Sequence, residues 1–264
     1  MLLKNKFLYA KNQLWPIKVF LKNILLFFHQ KKKLKGIKAF RNKFLDKPCF
    51  IIGNGPSLTV KDLEAIKDYK SFASNSIFKI FPETNWRPDF YGVCDKLYYE
   101  QNKSNILSNI GMPSFYPLDL DVLKRDHDVV YLRQQKFFSK KRPLFSSRAD
   151  LMLFDGSTVT YMLIQLAVYM GFKKIYLLGV DFSYSKTINV KGQIIRNNLI
   201  KDYFNDDKSE NNIVVPNLEQ SYLSYKSAFK YTTNNGIEII NLSRKSKLNL
   251  FKKSSIESLK LDNE

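Results

Sequence analysis

The sequence predicts an α/β fold with a doubly wound, mostly parallel sheet and a basic helical extension at the N-terminus. Short apolar runs rich in β-branched residues alternate with helical patterns along most of the chain. The run 48–53 breaks into Gly53-Asn54-Gly55-Pro56-Ser57, which is typical of a strand that turns sharply into a helix. A helical pattern ending near residue 170 is followed by Gly171 and a strand-like run at 174–181. This helix–glycine–strand order is typical of a parallel sheet.

The remaining elements are predicted from the same alternation of strand-like and helix-like hydrophobic patterns. The Asn235-Gly236 pair ends the last helical pattern, as glycine commonly does after a helix. A loop rich in Lys, Arg and Phe is predicted at 134–155, a polar insertion at about 183–213, and a polar tail after the last strand. The strands are predicted at 48–53, 70–74, 89–94, 114–117, 129–133, 174–181 and 237–241, and the helices at 60–68, 97–109, 156–170 and 217–234.

The composition is that of a folded protein without a disulfide framework. The 264 residues are 44% apolar and 14% aromatic, which is enough for one good-sized core. The two cysteines, Cys49 and Cys94, each lie in an apparent strand, so we expect reduced, buried thiols and no zinc site. The two histidines, His29 and His127, are far from the glycine-rich turn, which constrains any mechanism that needs a histidine base.

The net charge of +19 indicates anionic partners. Lysine supplies most of this charge, whereas nucleic-acid readers rely on arginine for paired hydrogen bonds to bases. No aromatic and basic nucleic-acid motif is present in the sequence, so we expect no nucleic-acid partner. Membrane surfaces and nucleotide-activated substrates fit the charge better.

Residues 1–47 form a distinct segment before the domain predicted at 48–264. The segment contains thirteen Lys and Arg residues and one acid, Asp46. Its longest apolar run, Ile24–Phe28, is far shorter than the roughly 20 residues needed to span a bilayer. A basic, aromatic-rich helical stretch favours association with an anionic membrane surface. The alternative is a helical extension that packs on the core and exposes its lysines.

Polar residues recur where the predicted strands end. In a doubly wound sheet, the carboxyl ends of the strands meet at one edge, where ligands bind. Each residue alone has an ordinary explanation as a turn or helix-cap residue, but together they predict a site. They are Asn54, Asn75, Ser76, Asp95, Ser157, Thr158, Asp181, Tyr184 and Asn241.

The glycine-rich turn predicts contact with an anion such as a nucleotide phosphate. Gly53 and Gly55 allow backbone N–H groups to approach a ligand closely, Ser57 follows them, and the helix dipole favours negative charge at the next helix start. The turn matches neither the phosphate-loop pattern nor Gly-x-Gly-x-x-Gly. The alternative interpretation is an ordinary strand–helix turn.

Several blocks resemble one known family. The blocks are Ile52–Leu58 with Ser74-Asn75 and Asp89–Asp95, then Leu166–Tyr184, and finally Pro216–Glu219 with Asn235–Asn241. In this order they are similar to the 6-hydroxymethylpterin diphosphokinase MptE-like domain family. The resemblance extends over about 48–259 and implies a single Rossmann-like domain.

The same blocks are similar to small bacterial sialyltransferases and to flagellin motility accessory factors. Those sialyltransferases use CMP-sialic acid and need no metal. The resemblance implies that Asn54 and Asn75 lie near the donor nucleotide and that Tyr184 lies near its phosphate. It also places Ser157-Thr158-Val159 at a donor-binding segment, although the glycine of that segment is missing here.

The resemblance leaves the catalytic base open. Many bacterial members carry Asn-His-Phe in the polar insertion, where this chain has Asn197-Asn198-Leu199. The amide of Asn198 cannot accept a proton at neutral pH. Asp95, Asp181 or Asp202 would therefore act as the base, or the protein has lost its activity.

From these features we expect a metal-independent glycosyltransferase that uses a CMP-sialic-acid-type nucleotide sugar in bacterial surface polysaccharide assembly. The acceptor would be a glycan or glycolipid, and the enzyme would be cytoplasmic and peripheral on the inner face of the membrane. The backbone of Gly53–Ser57 and the side chain of Tyr184 would stabilise the departing phosphate. The resemblance implies no firmly bound cofactor.

Two alternatives are open. One is a diphosphokinase that transfers pyrophosphate from ATP to a pterin, with Mg²⁺ held by Asp95 and Asp181 at adjacent strand ends. The other is an inactive member that still binds nucleotides. The sequence gives no oligomeric state.

Overall fold

The computed structural model describes residues 33–120, 129–135, 143–184, 186–188, 193–196 and 216–259. The four helices described are α1 (Val60–Ala65), α2 (Lys96–Asn109), α3 (Val159–Tyr169) and α4 (Leu218–Asn234). Three 3₁₀ segments lie at Gly36–Phe40, Asn75–Glu83 and Ile256–Ser258. The strands are β1 (Pro48–Ile52), β2 (Ser71–Ser74), β3 (Phe90–Gly92), β4 (Ser114–Pro117), β5 (Val129–Leu132), β6 (Gln134–Gln135), β7 (Leu153–Phe154), β8 (Lys174–Leu178), β9 (Lys186–Ile188), β10 (Ile194–Arg196), β11 (Glu238–Asn241) and β12 (Lys252–Lys253).

Eight of these strands form one sheet in which every neighbouring pair is parallel. The order is β12-β11-β8-β1-β2-β3-β4-β5. The chain builds outward from β1 to β5 on one side and from β8 to β12 on the other, so the order reverses between β8 and β1. Such a switch point opens a crevice at the carboxyl ends of the two strands. The doubly wound Rossmann-like prediction is confirmed.

The main differences from the predicted elements are early strand ends and short additional pieces. The strand predicted at 89–94 ends at Gly92, and the one predicted at 174–181 ends at Leu178, so the polar residues after them belong to loops. The predicted loop 134–155 contains β6 and β7, which pair in parallel, and the polar insertion contains the antiparallel pair β9 and β10. Each of these strands has only two or three residues, which is too few to show the alternating hydrophobic pattern of a strand.

The core has two layers because the sheet is covered on both faces. Alternate residues of β1 point to opposite sides: Cys49 and Ile51 pack with α3, whereas Phe50 and Ile52 pack with α1 and the segment Asn75–Glu83. Both cysteines are free, as expected. Cys49 is buried, and burial raises the pKa of its thiol. Cys94 is only half-buried, because it follows β3 instead of lying within it.

The end of the predicted N-terminal extension is part of the core domain. Ile37 is buried, and the rings of Phe40 and Phe44 pack edge-on against Phe90. The backbone N–H of Phe44 donates to the carbonyl of Met170 at 2.8 Å. Within the described residues, the segment 33–47 is therefore not a structural unit separate from the domain that follows it. Residues 1–32 lie outside the described residues. Across the described ranges, no helix is both long enough and apolar enough to cross a membrane.

Candidate functional site

The candidate site lies at the carboxyl edge of the sheet, around the switch point between β1 and β8. The loop 53–58 follows β1, and the loop 179–184 follows β8. Asn75 follows β2, Asp95 follows β3, and the turn 155–158 leads into α3, which packs across β1 and β2. The predicted site residues that the structure describes therefore share this edge. Asp202 and Asn198 lie outside the described residues.

The glycine-rich loop does not form the predicted anion cradle. The N–H of Gly53 donates to the carbonyl of Leu178 at 2.8 Å, and the N–H of Gly55 donates to the carbonyl of Gly179 at 2.8 Å. The N–H of Leu58 is also used, because it donates to the carbonyl of Gly55. These donors are therefore unavailable to a ligand, and that part of the prediction is wrong.

The two glycines are instead required by the close approach of the loops after β1 and β8. A Cβ atom on Gly53 would lie 2.4 Å from the carbonyl oxygen of Gly179, and one on Gly55 would lie 2.7 Å from the carboxylate of Asp181. No side chain fits at these distances. The glycine pattern, which predicted a ligand site, is therefore explained by close packing between the loops after β1 and β8.

Asp181 holds this loop in place. Its carboxylate is buried at 4% exposure and accepts hydrogen bonds from the backbone N–H of Ser57 at 2.8 Å and from the Ser57 hydroxyl. The two bonds use different carboxylate oxygens. Because both oxygens are engaged inside the protein, the geometry gives Asp181 a positioning role and makes it a poor candidate for the catalytic base.

Arg244, which forms ion pairs with two carboxylates, also holds the loop 53–58 in place. Arg244 forms a bidentate pair with the buried carboxylate of Asp62, with both bonds at 2.7 Å, and a third bond with Glu257 at 2.8 Å. It also donates to the carbonyl of Ser57 at 3.4 Å. The pairing raises the pKa of Arg244 and lowers that of Glu257 to about 2.

The hydrogen-bond donors at the N-terminus of α1 are also used within the protein. Thr59 accepts a hydrogen bond from the N–H of Asp62, and the Asp62 side chain accepts one from the N–H of Thr59. This reciprocal capping box satisfies the first donors of the helix. The prediction that this helix start attracts a phosphate is therefore not supported by its hydrogen bonds.

Asn54 and Asn75 offer unused hydrogen-bond acceptors. The Asn54 amide donates to the carbonyl of Ser74 at 3.0 Å, which fixes its orientation. The Oδ1 atoms of Asn54 and Asn75 are buried, and neither has a hydrogen-bond partner. Buried polar atoms are nearly always paired, so these two oxygens at the ends of adjacent strands are able to accept hydrogen bonds from a ligand that supplies N–H or O–H groups.

Asp95 is half-buried and caps α2. Its Oδ1 accepts a hydrogen bond from the N–H of Tyr98 at 2.7 Å, and Oδ2 accepts none from the described residues. The expectation that Asp95 and Asp181 lie at adjacent strand ends is wrong, because β1 and β2 stand between β3 and β8. Three strand spacings amount to ~14 Å. These two carboxylates therefore do not fit a shared magnesium ion, and the described residues contain no cluster of three His, Cys, Asp or Glu side chains.

The turn before α3 has the properties that the glycine-rich loop lacks. Thr158 is the N-cap residue of this 11-residue helix, but its side chain makes no capping hydrogen bond to the helix. Ser157 has a φ of 56°, and its N–H donates to Asp155 at 2.9 Å. The N–H of Tyr161 donates to the carbonyl of Thr158 at 3.1 Å. The first turn of α3 therefore lacks a side-chain cap, and the helix dipole favours negative charge there.

Helix α4 supports this turn from behind. The Ser221 hydroxyl donates to the carbonyl of Ser157 at 3.1 Å, and the Ser224 hydroxyl donates to the carbonyl of Gly156 at 2.8 Å. A Cβ atom on Gly156 would lie 2.7 Å from the Ser224 oxygen, so the helix and the turn fit closely. The sequence interpretation missed both serines, although their three-residue spacing places them on one face of α4.

Three of the five non-glycine residues with a positive φ in the described ranges lie at this edge. Asn75, Ser157 and Phe182 have φ values of 48°, 56° and 52°, in the left-handed region that a phenylalanine rarely adopts. The ring of Phe182 packs edge-on against Tyr225 of α4 at 5.8 Å. Strained residues gather at binding sites when the surrounding structure holds them. Tyr184, two residues further on, is half-buried beside this loop.

Comparison with solved structures agrees with the fold. A solved Maf glycosyltransferase from Magnetospirillum magneticum AMB-1 has the same fold, with a TM-score of 0.55, 19% identity and coverage of 89% of this chain. The chain spans 39% of the length of that protein. The sequence matches no curated protein.

A sequence model of the 6-hydroxymethylpterin diphosphokinase MptE-like family matches residues 20–187, which is more than half of the chain. A diphosphokinase and a glycosyltransferase both transfer a group from an activated donor, so a transferase is the class common to the two comparisons. The chain belongs to the 6-hydroxymethylpterin diphosphokinase MptE-like family.

Proposed function

We propose that the protein is a nucleotide-sugar-dependent glycosyltransferase with a CMP-sialic-acid-type donor and a glycan or glycolipid acceptor in surface polysaccharide assembly. The observation that carries the proposal is the pair of buried, unpaired amide oxygens of Asn54 and Asn75. Neutral amide acceptors suit the amino group of a nucleobase or the hydroxyls of a ribose. They are poor ligands for the magnesium ion of a nucleoside triphosphate, which prefers carboxylates.

The donor phosphate would lie at the start of α3. The first N–H groups of this helix face the carboxyl edge, and its dipole favours an anion there. Ser157 is exposed at this turn, and Tyr184 follows β8 on the other side of the crevice. Together these groups would stabilise the negative charge that develops as the nucleotide departs.

Asp95 is a better candidate for the base than Asp181, because one of its oxygens is uncommitted while both oxygens of Asp181 bond Ser57. In the reaction, the acceptor oxygen bonds the anomeric carbon as the bond from that carbon to the nucleotide phosphate breaks. The proton of the acceptor hydroxyl passes to Asp95, and the electron pair of the broken bond passes to the phosphate oxygen. Asp202 is the alternative base outside the described residues.

Nucleotide-dependent thermal unfolding tests the proposal. The protein is unfolded with CMP, CMP-sialic acid, UDP, GDP and ATP, each with Mg²⁺ or EDTA. A ligand at about 100 times its Kd stabilises the folded state by roughly 2.7 kcal/mol, which shifts the midpoint by several degrees. Stabilisation by a cytidine nucleotide in EDTA supports the proposal. Stabilisation by ATP with Mg²⁺ alone would favour the diphosphokinase.

A matched pair of variants ties the ligand to the site. Asn75→Gly removes the unpaired amide and keeps the left-handed backbone, and Asn42→Gly does the same at an exposed turn with a φ of 52° far from the edge. We expect Asn75→Gly to weaken nucleotide stabilisation at least tenfold, since it removes a buried polar contact worth about 1.5 kcal/mol. Equal nucleotide binding by the two variants would contradict the site.

A further inference from the structure

We infer that the surface around the C-terminal end of α3 docks on an anionic lipid surface. This basic platform consists of Arg41, Lys43, Leu45, Lys47, Leu151 and Lys173, all of which are exposed. The inference concerns the folded body of the protein and is independent of the donor proposed above.

The platform is held together by contacts on the core domain. The N–H of Lys173 donates to the carbonyl of Lys47 at 3.3 Å, and Leu45 lies against Gly171 at the end of α3. The pKa of Asp150 is lowered by its hydrogen bond to Arg148 and to a smaller extent by the charge of Arg41. Leu151 follows Asp150 directly in the sequence and is exposed. The six residues therefore form one surface, although they come from three parts of the sequence.

The charge of the platform is positive and outward-facing. Lys43 extends over the rings of Phe40 and Phe44, with its Nζ 5.3 and 5.8 Å from the two ring centres. Asp150 is paired with Arg148 at 2.8 Å, and Glu238, whose N–H donates to the carbonyl of Lys173, is paired with Lys252. Asp46 is the one carboxylate of the segment 33–47 and lies between Leu45 and Lys47 in the sequence. Each cationic side chain near an anionic membrane contributes about 1 kcal/mol to binding.

Two exposed leucines favour lipid over nucleic acid. Leu45 is 58% exposed and Leu151 is 56% exposed, and both stand among the basic residues. Apolar side chains that insert at the headgroup level strengthen membrane binding but make no contact with a phosphate backbone. Phe40 and Phe44, whose rings are the nearest aromatic surfaces for stacking on bases, pack against the core.

The platform lies at the opposite edge of the sheet from the candidate site. In a parallel α/β fold the helices run antiparallel to the strands, so the end of α3 is at the amino edge. The five residues of β1 separate the two edges by ~17 Å. Docking therefore leaves the carboxyl edge open to the aqueous side, and we expect vesicles to leave nucleotide binding unchanged.

Vesicle co-sedimentation of the full chain tests the inference. The vesicles contain phosphatidylcholine alone or mixed with phosphatidylglycerol, and salt is varied because exposed charges are screened by it. We expect binding to the mixed vesicles only. The triple variant Lys43→Gln, Lys47→Gln, Lys173→Gln should lose on the order of a hundredfold in affinity.

A control with the same change in net charge separates an effect of the platform from an effect of the overall charge of the chain. The triple variant Lys61→Gln, Lys96→Gln, Lys245→Gln removes three exposed lysines near the carboxyl edge. We expect this variant to lose less than about threefold, because these charges lie beyond a Debye length from the docked membrane. Equal losses in the two triples, or no loss in the platform triple, would overturn the inference.

A second variant tests the apolar part of the platform. Leu45→Gln with Leu151→Gln keeps the charge, and we expect it to weaken binding to the mixed vesicles about tenfold. Titration with a single-stranded oligonucleotide runs in parallel. If the platform triple loses affinity for the oligonucleotide but keeps its affinity for vesicles, the surface is a nucleic-acid site and the lipid inference is wrong.

Discussion

The two turns that lead into helices at the carboxyl edge look alike in sequence and differ in what they leave free. Both contain glycine and hydroxyl residues and precede a helix. In the loop 53–58, the N–H groups of Gly53, Gly55 and Ser57 donate to the protein, and α1 is capped. In the turn 155–158, the N–H of Ser157 also donates to the protein, but α3 starts without a side-chain cap, and the serines of α4 bond the turn.

The comparison shows that glycines occur in such turns for two different reasons. In the loop 53–58 the glycines admit the carbonyl of Gly179, so the motif reports close packing. The donor phosphate is proposed to lie at the start of α3, where one glycine is buried against a helix and the next residue, Ser157, has a positive φ. Hydrogen-bond partners, which the sequence does not display, distinguish the two cases.

The largest effect on the free energy of unfolding should come from adding a methyl group at Gly55 in the loop 53–58. Gly55→Ala places a Cβ atom 2.7 Å from the Asp181 carboxylate and from the carbonyl oxygen of Gly179. We expect a loss of about 3 kcal/mol in the free energy of unfolding, because the backbone has to move. Chemical denaturation measures it. Gly111→Ala is the control, since a Cβ there meets nothing within 4 Å. Equal stability of the two variants would contradict the packing explanation.

Two carboxylates at the edge should respond differently to the same change. Asp181→Asn weakens the two bonds to Ser57, and we expect it to cost about 2 kcal/mol of stability. Asp95→Asn keeps an N-cap residue of similar quality, so its unfolding free energy should change by less than about 0.5 kcal/mol. Transferase activity should be lost in the Asp95 variant if that carboxylate is the base. Full activity with Asn at 95 would move the base to Asp202.

Relief of strain in the second turn should have a smaller effect of opposite sign. Ser157→Gly places glycine at a φ of 56°. We expect the protein to become more stable by up to about 1 kcal/mol, because glycine adopts the left-handed region freely. Nucleotide-induced stabilisation should decrease, since the turn is less rigid. An increase in nucleotide affinity would show that the strain does not serve binding.

The smallest effect concerns pH. The folded-state pKa of Glu257 is about 2, below its ordinary value of 4.5, because Arg244 donates to it. A lowered pKa means that this pair stabilises the fold above about pH 4.5 and that the contribution is lost as the pH falls towards 2. The difference in thermal midpoint between wild type and Glu257→Gln should therefore shrink over that range. The hydrogen bond from Ser221 to the turn 155–158 joins two neutral groups, so Ser221→Ala should show no such trend.

The strand–turn–helix elements were predictable because their signals are local. The apolar run of β1 and the helix–glycine–strand unit of α3 and β8 contain their own start and stop residues, and the resemblance fixed their order. The convergence of Asn54 and Asn75 also followed from strand order alone, since the carboxyl ends of neighbouring parallel strands meet.

The partners within the site were not predictable in the same way. Asp181 bonds Ser57 across 124 residues, and Arg244 bonds Asp62 across 182 residues. No local pattern marks which carboxylate of several will be used by the fold. The short strands β6 and β7 were missed for a related reason, since only their pairing with each other defines them.

The place of β1 in the sheet has a consequence for biosynthesis. Pro48 at its start pairs with Lys174 of β8, 126 residues later. At ordinary elongation rates the ribosome needs roughly ten seconds to make that stretch. During this time one edge of β1 has no partner and offers a template for pairing with another nascent chain. A chaperone that protects this edge should therefore matter most before β8 emerges, and the loop 53–58 becomes rigid only when Asp181 has been synthesised.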